Sequence, residues 1–194
     1  GVRCIFLRQP EAMGLGHAVL CAEPAVGAEP FVVLLADDVM RGDLPTRRLV
    51  EAYAEAPGTI LSVMEVARNE AQRYGIVRPG PNGTVAGLVE KPKPGTEPST
   101  LASIGRYVLE PEIFDILASQ PPGYGGEIQL ADAINTRAAQ GHVRALTLAG
   151  QRYDCGSKMG YLEAMLDFGL DHPDFRDAFG LLIDRKAAER RQRG

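Results

Sequence analysis

The chain has 194 residues, a formal net charge of −4, 45 % hydrophobic and 24 % charged residues. That length allows one domain with a sizeable core, and that balance is globular rather than disordered. The acidic excess argues against a nucleic-acid surface, and no apolar run approaches the roughly 20 residues of a membrane span. Nor does a signal peptide precede the first strand-like run. The basic tail Arg185, Lys186, Arg190, Arg191 and Arg193, interrupted by Glu189, reads as the solvated end of a helix. Cys4, Cys21 and Cys155 form no CxxC pair, which suits reduced thiols and a cytoplasmic setting.

In chain order, Val2–Leu7 has the composition of a strand. His17–Cys21 and its flanks form a short helix stopped near Pro24. Phe31–Ala36 is an unbroken apolar run ending in Asp37-Asp38, as in a strand buried on both faces of a parallel sheet. Pro45–Ala56 has helical spacing, with Asp43 as its cap and Leu49, Tyr53 and Ala56 on one side. Ile60–Val66 is a further strand. Gly75–Arg78 and Thr84–Val89 flank an Asn82-Gly83 turn and predict a hairpin. Leu101–Leu109 is a strand, Pro111–Ala118 and Glu127–Ala139 are helices, and Val143–Leu148 is a strand. Lys158–Leu170 and Phe175–Arg190 are the closing helices. This alternation predicts an α/β fold with a mixed sheet flanked by helices, in one domain spanning 1–194. The hairpin and the Pro/Gly-rich stretch after it predict an insertion around 75–98.

Four segments carry chemical potential. Gln9 to His17 runs from a strand into a Gly14-Leu15-Gly16 turn and a helix; such a turn can approach a ligand closely, or can be only a turn. The amide of Gln9 offers the donor and acceptor that a uracil or thymine edge requires. Asp37-Asp38, at a strand's carboxyl end, lies where α/β folds bind ligands, and carboxylates there suit Mg²⁺; one of the pair can equally cap a turn. Asp154 precedes a helix, as a cap or as a second metal ligand. Glu90-Lys91 pairs a carboxylate with an ammonium, able to read sugar hydroxyls and a phosphate, or to form a solvated surface pair. His17 reads as a structural hydrogen-bonder.

The ordered set of Arg8-Gln9, Gly14-Leu15-Gly16-His17-Ala18-Val19, Leu34-Leu35-Ala36-Asp37-Asp38, Tyr74-Gly75-Ile76-Val77, Val89-Glu90-Lys91-Pro92-Lys93 and Ile104-Gly105-Arg106-Tyr107-Val108-Leu109 resembles bacterial UTP–glucose-1-phosphate uridylyltransferases. Gly126-Glu127-Ile128-Gln129-Leu130, Asp132-Ala133-Ile134 and Tyr153 to Tyr161 extend the resemblance over nearly the whole chain. It implies a Rossmann-like nucleotidyltransferase fold and Mg²⁺-dependent formation of UDP-glucose and pyrophosphate from UTP and glucose 1-phosphate. It implies that Gln9 and Gly14 hold uracil and that Asp37 binds Mg²⁺ with Asp154. Gly75 and Glu90 would contact glucose, and Lys91 its phosphate, with Asp37 and Lys91 the catalytic pair; Asp38 ranks below Asp37. The family's glycine-rich phosphate loop has no counterpart here. Roughly the first hundred residues of a family member are therefore expected to be missing, leaving the sheet short of strands and with an open edge. A homo-oligomer is expected; Phe175 and Phe179 are candidates for a subunit contact or, equally, for covering the domain's own core. The rival readings are a thymidylyltransferase acting on a related sugar phosphate and a non-catalytic nucleotide-sugar-binding module.

Overall fold

The computed structural model describes residues 1–42 and 44–193, so the capping role expected of Asp43 lies outside the described residues. In chain order the elements are α1 (Leu15–Leu20), α2 (Glu23–Val26), β1 (Phe31–Leu34), β2 (Asp38–Arg41), α3 (Pro45–Glu55) and β3 (Thr59–Glu65). They continue with β4 (Gly75–Pro79), β5 (Val85–Glu90), β6 (Leu101–Leu109), α4 (Glu112–Ser119), α5 (Leu130–Ala139), β7 (Val143–Thr147), β8 (Gln151–Asp154), α6 (Lys158–Asp171) and α7 (Arg176–Arg193). Two compact units result: Gly1–Leu35 with Gly42–Ala149, and Ala36–Arg41 with Gly150–Gly194.

The first unit holds a mixed sheet in the order β5-β4-β6-β3-β7, with β1 also paired to β6. The β3–β7 pair is parallel and the other pairs are antiparallel. Residues alternate between its faces, as the pleat demands. Leu61, Val63, Tyr107 and Leu109 join Ile113, Phe114, Leu117, Leu130 and Ile134 of α4 and α5 in one core cluster. Ile60 and Val108 pack with Leu49 of α3 in another. This is a sheet between helices, as the sequence predicts.

Several sequence expectations are corrected. Val2–Leu7 forms no strand: it has no regular structure, and Val2 and Phe6 are more than nine-tenths exposed. A strand needs a neighbour for its backbone groups, and among the described residues none pairs with this segment. β1 is apolar on both faces because Val33 packs into one cluster and Val32 into the other. Its direction, however, is antiparallel to β6 rather than parallel to a neighbour. α1 stops at Leu20, close to the expected stop near Pro24, and Pro24 itself sits in the first turn of the separate one-turn helix α2, where its missing N–H costs nothing. The helix expected from Glu127 starts at Leu130. The backbone before it is committed elsewhere: Ile128 N donates to Met13 O (2.8 Å), and Ile128 O accepts from Gly16 N (2.9 Å).

The hairpin forms as read. Asn82 and Gly83 both take positive φ, 54° and 76°, which Asn-Gly tolerates better than other pairs. β3 and β6 share a β-bulge between Leu61 and Val63. There the buried Ser62 hydroxyl lies 2.5 Å from Ile104 O and 2.7 Å from Arg106 O, its one proton shared between two carbonyls. On the other side Leu35 N donates to Gly105 O (2.8 Å).

The second unit pairs β2 with β8 antiparallel and adds α6 and α7. A Cβ on Gly169 would lie 2.5 Å from the Phe179 ring, so Phe179 covers the α6–α7 pair itself. Phe175 stacks on His172 at 3.8 Å.

Replacing Ser62 by Ala should leave two bulge carbonyls without their donor and lower unfolding free energy by about 1–2 kcal/mol. Urea denaturation followed by circular dichroism checks this, and an unchanged midpoint would show that the hydroxyl does not hold the bulge.

Candidate active site

The sequence-predicted residues fall into three groups. The first is Gln9 with the Gly14 turn. Gly14 has φ 92°, and a Cβ there would lie 2.8 Å from Glu127 Cβ and 3.0 Å from Ile128 O. At Gly16 a Cβ would lie 2.6 Å from Ile128 O. These glycines are therefore needed first for backbone approach to the 127–129 segment, a contact the sequence did not reveal. Gln9 Nε2 donates to Gly14 O (3.1 Å) and lies 3.0 Å from His17 Nδ1. The Gln9 amide nitrogen thus faces the turn. His17 acts as the structural hydrogen-bonder expected of it, its Nε2 lying 3.9 Å from Cys21 Sγ.

The second group is Gly75, Glu90 and Lys91 at the open end of the β4–β5 hairpin, where Gly75 and Glu90 are register partners. A Cβ on Gly75 would stand 3.0 Å from Glu90 Oε2, so glycine leaves room for that carboxylate. Lys91 Nζ lies 3.8 Å from Glu90 Oε1, with both side chains exposed, so this pair contributes little stability. Lys91 adopts φ 44° although it is not glycine, while its N–H continues the ladder to Tyr74 O (3.0 Å). A left-handed lysine costs on the order of 1 kcal/mol, and such strain collects at functional positions.

The third group is Asp37 and Asp154, both in the second unit. Asp37 Oδ2 and Asp154 Oδ1 lie 2.9 and 3.2 Å from the single point that a Cβ on Gly156 would occupy. The two carboxylates thus converge on a space kept open by a glycine. Cys155 N donates to Asp37 O (2.8 Å) and fixes the approach. Asp38 is different: it is buried, begins β2 opposite Asp154, and is ion-paired with Arg152. Arg152 neutralises one of two facing carboxylates that would otherwise repel. Among the described residues no group of three or more His, Cys, Asp or Glu side chains could hold a metal. A two-carboxylate site matches a cation that keeps waters and takes remaining ligands from phosphates.

β8 is held by Tyr153, whose hydroxyl donates to Asp167 Oδ2 of α6 (2.6 Å), while Arg41 pairs with Asp167 and Asp171. Burial first, then the bond to Asp167, pushes the Tyr153 phenol above its ordinary value, with Arg41 pulling the other way. Sequence reasoning missed β2, β8 and the roles of Arg152 and Tyr153; four-residue strands paired across more than a hundred residues leave no local periodicity.

Residues 1–169 match the nucleotidyl transferase family, and the chain belongs to it. It is 45 % identical over 177 residues to a UTP–glucose-1-phosphate uridylyltransferase 2 of Staphylococcus saprophyticus, covering 89 % of this chain and 61 % of that protein. The chain therefore spans about three-fifths of the length of the curated relatives it matches. A solved UDP-glucose pyrophosphorylase from Acinetobacter baumannii superposes with a TM-score of 0.83 at 39 % identity, over 92 % of this chain and 64 % of that one. A UDP-glucose pyrophosphorylase complexed with UDP-glucose gives 0.80 at 40 % identity, over 86 % of this chain and 66 % of that one. No helix among the described residues is long and apolar enough to cross a membrane.

The stretch after Lys91 is tied down by Glu97, which accepts from Arg68 Nη1 at 3.1 Å. Its own backbone N–H first, then Arg68, lowers the Glu97 carboxyl below its ordinary value. A depressed carboxylate stabilises the fold fully above the ordinary glutamate pKa of about 4.3, and that contribution is lost as pH falls through the folded-state value. Protection factors for amide hydrogen exchange across residues 91–98, corrected for the slower intrinsic exchange at low pH, should fall on acidification through this window. An Arg68→Ala variant should show a smaller acid dependence, and an identical dependence would remove Arg68 from that role.

Proposed function

We propose that this chain carries the uridylyl-transfer site of a UTP–glucose-1-phosphate uridylyltransferase. The observation that carries this reading is the convergence of Asp37 and Asp154 over Gly156. The bound UDP-glucose named for one structural neighbour supports it.

The reaction is an in-line displacement. A phosphate oxygen of glucose 1-phosphate attacks the α-phosphorus of UTP, a new P–O bond forms, and the bond to the β-phosphate breaks with release of pyrophosphate. No protein nucleophile is needed, so the work is positioning and charge stabilisation. The Gln9 carbonyl oxygen accepts the ring N–H of uracil, while the glycine turn lets the backbone approach the base. Glu90 accepts hydroxyls of the glucose, Gly75 leaves that carboxylate room, and Lys91 meets the sugar's phosphate. Asp37 and Asp154 hold Mg²⁺, which when bound neutralises phosphate charge. The same reading makes the protein a homo-oligomer.

The reading is tested by Mg²⁺-dependent pyrophosphate release from UTP and glucose 1-phosphate, measured on this chain and on the full gene product that contains it. Turnover by the full product, abolished by Asp37→Asn with the fold retained, is expected. Binding of UDP-glucose without turnover in either would replace it with the nucleotide-sugar-binding reading.

A second variant tests the cation site without removing a carboxylate. Gly156→Ala would put a methyl 2.9 Å from Asp37 Oδ2. It should weaken Mn²⁺ binding, read by electron paramagnetic resonance, by about tenfold or more. Undiminished affinity would exclude the Asp37–Asp154 pair as the ligands.

A further inference from the structure

We infer that Asn135 is a positioning residue for the sugar-phosphate end of the site, acting through the backbone of β5. This rests on the functional reading of Glu90 and Lys91 given above.

β5 is the terminal strand of the sheet order, so its outer edge requires partners for its backbone groups. At Leu88 that partner is a side chain. Leu88 N donates to Asn135 Oδ1 (2.6 Å), and Asn135 Nδ2 donates to Leu88 O (3.0 Å). One carboxamide thereby takes the place of a neighbouring strand, using a donor and an acceptor at the separation that one residue presents. The neighbouring residue is shaped to admit it: a Cβ on Gly87 would lie 3.0 Å from Asn135 Oδ1. Leu88 is buried, so loss of the amide would leave two backbone groups without this partner. Glu90 ends the same strand two residues further on and Lys91 follows it; β4 holds one edge of this stretch, Asn135 holds the other, and the exposed Lys91–Glu90 side-chain pair adds little to either.

Asn135 sits at the middle of α5, flanked by the buried Ile134 and Arg137. Arg137 is itself anchored to Glu110 at 2.6 Å. The segment leading into α5 is the one bonded to the glycine turn through Ile128. One rigid helix thus touches the nucleotide turn at its start and the hairpin at its centre. Asn135 is where its placement reaches the residues that would read the sugar phosphate.

The test compares UDP with UDP-glucose as ligands for this chain by isothermal titration calorimetry, in wild type, Asn135→Leu and Asn135→Asp. The ratio of the two affinities isolates the hairpin's contribution. The wild type is expected to prefer UDP-glucose. Asn135→Leu should cut that preference by about tenfold while leaving UDP affinity unchanged. Asn135→Asp keeps the acceptor for Leu88 N and should fall between. A uniform loss for both ligands, or an unchanged preference in a folded variant, overturns the inference. Should Asn135→Leu fail to fold, Asn135→Asp decides alone by the same ratio. A wild type with no preference for UDP-glucose fails the functional reading instead, so the two failures are distinct.

Discussion

β6 pairs with three strands, and the register of the first unit's sheet is set from it. Along one edge it runs beside β3; along the other it meets β1 near its end and β4 near its start. Antiparallel pairing fixes register two residues at a time, and a slip of one would invert every side chain. The place where β1 and β4 succeed one another is the bulge at Ile104-Gly105-Arg106, and it is closed on both sides, by Ser62 and by Leu35 N. From there β1 ends and the chain reaches Asp37 within three residues of Leu34, while β4 begins the hairpin that ends in Glu90 and Lys91. A buried hydroxyl and one backbone bond therefore mark where β1 ends and β4 begins along β6.

The three groups share a physical device. Gly14 and Gly16 face the backbone and side chain of Glu127 and Ile128, Gly75 faces Glu90, and Gly156 faces Asp37 and Asp154. In each case a Cβ would stand at 3.0 Å or closer to a neighbouring atom, inside ordinary contact distance. Glycine here does not serve flexibility. It lets a carboxylate or a second backbone segment occupy the volume of a missing side chain, so two segments distant in sequence can present their polar atoms side by side. That supports the assignment of Asp154 rather than Asp38 as the partner of Asp37, because only the former pair shares an open space.

This device also explains what was legible in the sequence. Glycine turns, the Asn82-Gly83 hairpin and the long strands are local signals, and they were read at the right positions. The apolar faces of β3 and β6 were legible because each strand packs its two faces into separate clusters. What escaped were features set by distant partners. Val2–Leu7 has strand composition, yet composition cannot supply a neighbour. The residues before Leu130 have helical character, but their backbone is held by Met13 and Gly16. β2 and β8 are polar four-residue strands that exist because Asp38 meets Arg152 and Tyr153 meets Asp167. The sequence offers Gln9 with donor and acceptor both available, while in the fold its Nε2 donates to Gly14 O and lies beside His17 Nδ1.

Lys91 brings the local and the distant arguments together. Its φ of 44° lies in the region where glycine is favoured; the other described non-glycine residue there, Asn82, is of a type that tolerates it, and lysine is not. A glycine at this position would relieve the strain and keep the bond from its N–H to Tyr74 O, since that bond uses only backbone atoms. The ammonium contributes little to folding, because the Glu90 carboxylate is 3.8 Å away and both side chains are exposed. A lysine kept where glycine would make the same backbone bond supports a role outside folding for the charge. In the proposed reaction that role is to meet the phosphate of the sugar, where the left-handed turn ends the strand and lifts the lysine clear of the ladder that Asn135 holds in place.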